Sequence, residues 1–316
     1  MLDAAIGIAR ARLLGAMSFA LIFSGQGMQH PAMLPWLHDD TIVRGMRRRL
    51  GTPDWRAALA DSAWAERNAN AQTLLTGVAL SAWHQIAPLL PPPIAIAGYS
   101  VGELAAFSAA GVFDAEAALD LAHRRAEAMD RCAERSPGGM LAVAGLGADA
   151  IDRICYESGL AIAIRNGPQS FVLGGPHAGL DVAERALAMQ NARCTRLRVG
   201  VASHTPGMRD AAVDFLRTLA HVEFGNPHVT LFTNAADRVR DEAGARHALA
   251  AQIADTVRWD ECMENIRARN VACVLEIGPG QALTRMWNEA YPDVPARSCD
   301  EFRSAGGVAR WLETLG

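Results

Sequence analysis

The chain has 316 residues, half of them hydrophobic, which suffices for one large domain, or one and a half, with a substantial core. Its net charge of −4 and pI near 6.1 give no reason to expect nucleic acid or an anionic membrane as the main partner. All 30 basic residues are arginine, which excludes Schiff-base lysines, lysine general bases and the P-loop lysine.

Residues 1–16 are predicted to form an appended amphipathic helix, or to precede a true start at Met17. Arg10 and Arg12 interrupt the apolar core that a signal peptide needs, and no run of about 18 uncharged apolar residues follows. The six cysteines form no C-x-x-C pair, and the nine histidines form no H-x-H or H-x-x-x-H pair. We therefore expect a cytoplasmic protein without a metal site.

The first half of the chain alternates apolar runs with helical patterns. Phe19–Phe23 and Ile94–Ala97 are typical of short buried strands. The alanine-rich residues 54–90 favour two or three helices, which end at three consecutive prolines. A long helix is expected over residues 114–135, with an aspartate as its N-cap.

From Met140 the pattern changes to short strands and two helices, in the order strand–helix–strand–strand–helix–strand over about 65 residues. This order is typical of a ferredoxin-like module. We expect residues 138–202 to form an inserted subdomain, and residues 1–137 and 203–316 to form a large α/β domain. Buried strands alternating with helices indicate a mostly parallel sheet covered on both faces.

A serine lies at the corner between a predicted strand and a predicted helix, in the motif G-Y-S-V-G-E at residues 98–103. Glycines on either side remove side chains that would clash in a sharp turn, so Ser100 is a candidate nucleophile, although a structural turn is the alternative. Its base would be His204, which follows a predicted strand at Arg196–Ala202. A histidine that caps the next helix is the alternative there.

Two further features point to the same cleft. The S-G-Q-G turn after the first strand should lie beside the candidate nucleophile, because the carboxyl ends of strands form the crevice of an open α/β sheet. Backbone N–H groups of Gln26 and Val101 would then form an oxyanion hole, unless the motif is a plain glycine turn. Of Arg124 and Arg125, one facing the cleft would bind a substrate carboxylate, whereas a solvated one would pair along its helix.

The motifs F-S-G-Q-G-M-Q, G-Y-S-V-G-E, A-S-H, V-R-W and E-I-G-P-G, with Arg125 among them, occur in a recognisable order. The chain resembles malonyl-CoA:acyl-carrier-protein transacylases over about residues 18–290. The resemblance implies an α/β-hydrolase-like large domain with an inserted ferredoxin-like subdomain. It also implies ping-pong transfer of a malonyl group from malonyl-CoA, through a serine ester, to the thiol of an acyl-carrier protein, with no cofactor and no metal.

The resemblance assigns roles to individual residues. It implies Ser100 as nucleophile, His204 as base, the amides of Gln26 and Val101 as oxyanion hole, and Arg125 as the ligand of the malonyl carboxylate. It further implies a backbone carbonyl near Arg258 that orients the histidine, and places Met140, Asn166 and Ser203 along the cleft.

Two departures from the family pattern affect specificity. Tyr99 stands where the family usually has a histidine, and G-Y-S-V-G-E-L-A-A resembles the transacylase (epsilon) subunit of bacterial malonate decarboxylase. The decarboxylase carrier and other subunits are therefore expected partners. Ser203 replaces the phenylalanine of many malonyl-specific modules, and this smaller residue has room for a methyl branch. A fatty-acid-synthesis transacylase, a serine thioesterase and a non-enzymatic scaffold remain alternatives.

Overall fold

Two five-stranded sheets form the framework of the protein in the computed structural model, which describes residues 18–315. The predicted helix at residues 1–16 lies outside the described residues. Among the helices of residues 18–315, none combines the length and apolar character that a membrane crossing requires.

The described residues contain ten strands and thirteen α-helices. The strands are β1 Phe19–Phe23, β2 Ala95–Gly98, β3 Gly138–Ala144, β4 Ala161–Gly167, β5 Ser170–Pro176, β6 Arg193–Arg196, β7 Thr230–Leu231, β8 Val257–Arg258, β9 Cys273–Ile277 and β10 Ala296–Ser298. The helices are α1 Thr41–Leu50, α2 Trp55–Ala58, α3 Ser62–Glu66, α4 Asn68–Ile86, α5 Gly102–Ala109, α6 Ala115–Arg135, α7 Ala148–Ser158, α8 His177–Met189, α9 Arg209–Leu219, α10 Glu242–Ala251, α11 Trp259–Arg267, α12 Ala282–Ala290 and α13 Ala305–Glu313. Short 3₁₀ turns occupy Ala87–Leu89, Pro206–Met208 and Cys299–Glu301.

The first sheet is wholly parallel, in the order β10-β9-β1-β2-β7. All five residues of its central strand, β1, are fully buried. Phe19, Leu21 and Phe23 pack into one core cluster, and Ala20 and Ile22 pack into another. This alternation shows that both faces of the sheet are covered, as the apolar run in the sequence predicts.

The second sheet has the order β6-β3-β5-β4-β8, and its first four strands pair antiparallel. Together with α7 and α8, those strands follow the predicted order of a ferredoxin-like module around a separate apolar cluster. The predicted fold class is confirmed. Strand β8, from the later part of the chain, pairs parallel with β4, which the sequence analysis did not anticipate. The residue limits of the two domains stay a prediction.

The long helix after the elbow is present as predicted. Asp114 caps α6, because its Oδ1 accepts the backbone N–H of Ala117 at 2.8 Å. The helix runs to Arg135 and buries one face against α4 and α9. Its charged residue on the buried face is Arg125, with 1% of its surface exposed.

Strand β6, at Arg193–Arg196, lies earlier in the chain than the strand predicted at Arg196–Ala202. It ends at Arg196, and residues 197–203 are irregular rather than a continuation of the strand. β6 is an edge strand whose one partner is β3, and the last backbone bond between them runs from the Leu197 N–H to the Met140 carbonyl. Beyond that point no strand within residues 18–315 pairs with this segment, which leaves the sheet and leads to His204.

Candidate active site

Ser100 lies at the sharp turn between β2 and α5. Its backbone φ is +54°, a left-handed conformation that costs a non-glycine residue about 1–3 kcal/mol. A Cβ at position 98 would overlap the backbone of Gly102 and Glu103, and one at position 102 would overlap the carbonyl of Phe23. The two glycines of the motif are therefore required by the close approach of the backbone.

Asn234, which follows β7, holds this turn from across the sheet. Its side-chain Oδ1 accepts the Ser100 N–H at 2.7 Å, and its Nδ2 donates to the Gly98 carbonyl at 2.7 Å. Its own backbone N–H donates to the buried carboxyl of Glu103 at 2.5 Å. The asparagine thus fixes both sides of the serine, a role for which the sequence analysis found no indication.

Ser100 and His204 meet although 104 positions separate them. The serine Oγ lies 2.8 Å from His204 Nε2. On the other side of the ring, Nδ1 donates to the carbonyl of Gln252 at 2.5 Å, and the His204 backbone N–H donates to the Ile253 carbonyl at 2.8 Å. Because Nδ1 faces a carbonyl, it carries the proton, which leaves Nε2 free to accept the serine proton.

The prediction of a histidine-orienting carbonyl near Arg258 is wrong. The carbonyl is that of Gln252, which follows the last residue of α10, where backbone oxygens lack intrahelical donors and are free to accept. Arg258 instead donates its N–H to the Asn234 carbonyl at 3.1 Å, and its side chain pairs with Glu261 at 2.9 Å.

The environment of His204 keeps the ring neutral. The pKa of His204 is lowered to about 3, mainly by burial and in addition by the nearby Arg125 charge, while the hydrogen bond to the Gln252 carbonyl opposes both. Protonation would place a second positive charge in a buried region that already holds a guanidinium. The imidazole is therefore in its basic form across the neutral range.

Arg125 is the buried one of the two neighbouring arginines, and Arg124 is exposed. The Arg125 guanidinium donates to the side-chain oxygens of Gln72 at 2.7 Å and of Gln252 at 3.1 Å. Its Nε has no hydrogen-bond partner within the described part of the chain. Burial lowers the pKa of Arg125 to about 10, while the charge of Glu103 opposes this. The guanidinium stays a cation whose direct partners are neutral amides.

A cavity of about 300 Å³ lies between the two sheets, and Ser100 is part of its wall. Its polar wall residues are Ser24, Gln26, Tyr99, Ser100, Asn166, Ser203, His204 and Glu276, and its apolar ones include Met28, Met140, Ile164, Leu197, Val199 and Met286. The predicted Gln26, Met140, Asn166 and Ser203 thus lie around one cavity with the serine and the histidine. Within residues 18–315, the cavity wall does not include Val101, Arg125 or Arg258.

Tyr99 bridges the elbow and the second sheet. Its hydroxyl donates to Asn166 Oδ1 at 3.0 Å, and its ring packs edge-on against Trp259 with centroids 5.3 Å apart. The same ring leaves no space for a side chain at position 25, because a Cβ on Gly25 would come within 2.7 Å of the tyrosine ring. The residue that departs from the family pattern therefore forms part of the cavity wall.

Known proteins share this architecture. The acyl transferase domain family matches residues 60–310. The malonyl CoA-acyl carrier protein transacylase of Mycobacterium tuberculosis is 32% identical over 292 residues, which cover 88% of this chain and 95% of that protein. The chain belongs to the malonyl-CoA:acyl-carrier-protein transacylase family. The family predicted from the ordered motifs is confirmed.

Solved structures of family members superpose over nearly the whole chain. The acyl-carrier-protein S-malonyltransferase of Burkholderia pseudomallei 1710b has a TM-score of 0.86 at 28% identity, covering 93% of this chain and 100% of that one. A malonyl-transacylase in complex with a type II polyketide synthase acyl-carrier protein has a TM-score of 0.86 at 29% identity, covering 94% and 99%.

Proposed function

We propose that this protein transfers a malonyl group from malonyl-CoA to the thiol of an acyl-carrier protein, through an ester on Ser100. The observation that carries the proposal is the 2.8 Å contact between Ser100 Oγ and His204 Nε2 at the base of the cavity. The names of the relatives support the same chemistry, and the solved complex of one neighbour with an acyl-carrier protein supports the class of acceptor.

The first half-reaction follows from these atoms. Ser100 Oγ attacks the thioester carbonyl while its proton passes to His204 Nε2. The backbone N–H groups of Gln26 and Val101 stabilise the oxyanion of the tetrahedral intermediate. The carbon–sulfur bond then breaks, and the CoA thiolate leaves with the proton from His204. In the second half-reaction the carrier thiol gives its proton to His204 Nε2 and attacks the ester carbonyl. The bond between that carbon and Ser100 Oγ then breaks, and the serine oxygen takes the proton back from His204. The scheme needs no metal and no cofactor.

Arg125 is the proposed ligand of the free malonyl carboxylate. Its guanidinium is buried, bears a full charge and has an unpartnered Nε. A carboxylate matches the planar fork of an arginine and supplies the opposite charge that Gln72 and Gln252 do not. An acetyl group offers no such partner, so the arginine favours malonyl over acetyl thioesters.

We further infer that the acceptor is the carrier subunit of a malonate decarboxylase, with this protein as the transacylase subunit. The support is the G-Y-S-V-G-E motif, in which Tyr99 replaces the usual histidine. The comparisons fit a fatty-acid-synthesis transacylase equally well. The two are separated by kcat/KM for each purified holo-carrier, and at least about a tenfold preference for the decarboxylase carrier is expected. Equal or reversed preference contradicts the decarboxylase assignment.

The transfer itself is tested by mass. Incubation with malonyl-CoA is expected to add one malonyl group, mapped by peptide sequencing to Ser100, and addition of holo-carrier is expected to remove it. Ser100→Ala abolishes the adduct, whereas Ser108→Ala, on the helix after the elbow, does not. An adduct elsewhere would refute the role of Ser100. Rapid release of free malonate without a carrier would instead indicate a thioesterase.

A further inference from the structure

A buried carboxylate in the cavity wall has no role in the scheme above. Glu276, near the end of β9, is fully buried and lies in the same wall as Ser24 and Gln26. Burying a carboxylate is costly unless it is hydrogen-bonded. Glu276 therefore needs hydrogen-bond donors within reach of its two oxygens.

Glu276 accepts three hydrogen bonds from two different elements. Its Oε1 accepts the Ser24 hydroxyl at 2.8 Å and the Leu283 N–H at 3.3 Å, and its Oε2 accepts the Thr284 N–H at 2.9 Å. The two amides belong to the first turn of α12, where backbone N–H groups lack intrahelical acceptors. Burial raises the pKa of Glu276 to about 7, and these donors oppose the rise. The carboxylate joins the start of α12 to the loop after β1.

Ser24 is the first residue of that loop and is held on two sides. Its backbone N–H donates to the Ile277 carbonyl at 3.1 Å, while its hydroxyl donates to Glu276. Gly278 has a φ of +133°, and a Cβ there would come within 2.7 Å of the serine hydroxyl. Neighbouring residues at the end of β9 therefore fix both the backbone and the side chain of Ser24.

A later part of the same loop is also attached to a carboxylate. Asp300 accepts the Leu34 N–H at 2.5 Å and the Gly280 N–H at 2.8 Å. Gln26 lies between these two attachments, two residues after Ser24. Its position relative to Ser100 consequently depends on how firmly Ser24 is held.

We propose that Glu276 is a positioning residue, which acts through Ser24 to hold the Gln26 amide where the oxyanion of the transfer reaction forms. The inference rests on the proposed function. Catalysis is sensitive to such placement, since a shift of about 1 Å costs roughly 10²-fold in rate. Loss of an oxyanion donor costs about 10²–10³-fold in kcat, mostly without loss of substrate binding.

The test compares Glu276→Gln, Ser24→Ala and the double variant in single-turnover acylation by malonyl-CoA. Glutamine has no charge and one acceptor oxygen for three donors, so its NH₂ group faces at least one amide N–H of α12 that it cannot accept, and the bond to Ser24 loses its charged partner and weakens. Each single variant is expected to lower the maximal acylation rate about 10- to 100-fold with little change in the half-saturating malonyl-CoA concentration. The double variant should be no slower than the slower single variant, because both changes break one connection.

Ser304→Ala is the matched control. Ser304 caps α13 by accepting the Gly307 N–H at 3.0 Å, and within residues 18–315 no hydrogen bond connects its side chain to the loop of Gln26. This variant loses a helix cap as Glu276→Gln does, but it should acylate at the wild-type rate.

Three outcomes overturn the positioning role: an unchanged acylation rate in folded variants, an effect confined to the half-saturating concentration, or rate losses that multiply in the double variant. If Glu276→Gln fails to fold, Ser24→Ala decides alone, since it leaves the cap of α12 intact. A wild-type protein that forms no ester on Ser100 refutes the proposed function itself. An active wild type with unimpaired variants refutes only the role of Glu276.

Discussion

Replacing Arg125 with alanine separates recognition of the malonyl carboxylate from the chemistry at Ser100. The side chain is 1% exposed and reaches the amides of Gln72 and Gln252, so its removal deletes a buried cation whose charge acts on His204. The change affects a malonyl and an acetyl group differently, because only the former carries a carboxylate. Any damage to the serine or the histidine slows both substrates alike.

The expected size follows from the bonds that are lost. A hydrogen bond to a charged group contributes about 1.5–3 kcal/mol, and an arginine binds a carboxylate through two. Two such bonds contribute about 3–6 kcal/mol, and for the lower part of this range, about 3–4 kcal/mol, the malonyl-to-acetyl ratio of kcat/KM should fall by roughly 10²- to 10³-fold. The acetyl rate itself should hold or rise, since an acetyl group in the variant no longer leaves a buried guanidinium without a carboxylate.

The assay places malonyl-CoA and acetyl-CoA in competition and measures the two adducts on Ser100 by intact mass. Arg124→Ala is the control, because it removes the same side chain from the neighbouring, exposed position of α6. A folded Arg125→Ala protein with the wild-type ratio would show that the arginine does not bind the carboxylate. A similar loss in Arg124→Ala would show that the effect is not specific to the buried site.

Three other changes test the geometry around the elbow. Asn234→Ala leaves the Ser100 N–H unpaired and should lower the free energy of unfolding by about 2–4 kcal/mol, measured by urea denaturation; a change under about 0.5 kcal/mol would contradict the bracing role. In an NMR titration the ring of His204 in the wild type should stay neutral at pH 5. In Arg125→Ala the pKa of His204 should rise but stay below 6.5, because one nearby cation is removed while the burial remains. A wild-type ring that protonates near pH 6.5 would count against this. The wild type should accept methylmalonyl-CoA, and Ser203→Phe, which fills part of the cavity, should lower its use about tenfold or more relative to malonyl-CoA; an unchanged ratio would remove Ser203 from the specificity determinants.

Features that depend on neighbouring residues could be predicted from the sequence. The elbow at Ser100 requires glycines at fixed offsets between an apolar run and a helix, and the structure shows which backbone atoms those glycines approach. The buried strand Phe19–Phe23 and the cap of α6 at Asp114 follow from equally local patterns. Such patterns appear in the sequence because the physical constraint acts within one element and its flanks.

The supports of the site could not be predicted in this way. Asn234, Gln72 and Gln252 are polar residues in ordinary helix or loop contexts, and their importance arises only when the fold brings them to the elbow, Arg125 and His204. The mistaken assignment to Arg258 has the same origin, since a backbone carbonyl has no sequence signature. The hydrogen-bond partner of the His204 ring depends on where the C-terminal end of α10 lies in the folded protein.

A histidine oriented by a carbonyl rather than by a carboxylate suits transfer between thiols. A buried carboxylate would stabilise the imidazolium, whereas the Gln252 carbonyl is neutral and Arg125 disfavours a second positive charge. The protonated histidine is then short-lived and returns its proton readily. That is sufficient here, because a thiol is much more acidic than an amine and its thiolate leaves with little assistance. The same imidazole accepts the proton of Ser100 in one direction and of a thiol in the other, and it returns each, so the proposed transfer runs both ways through the same groups.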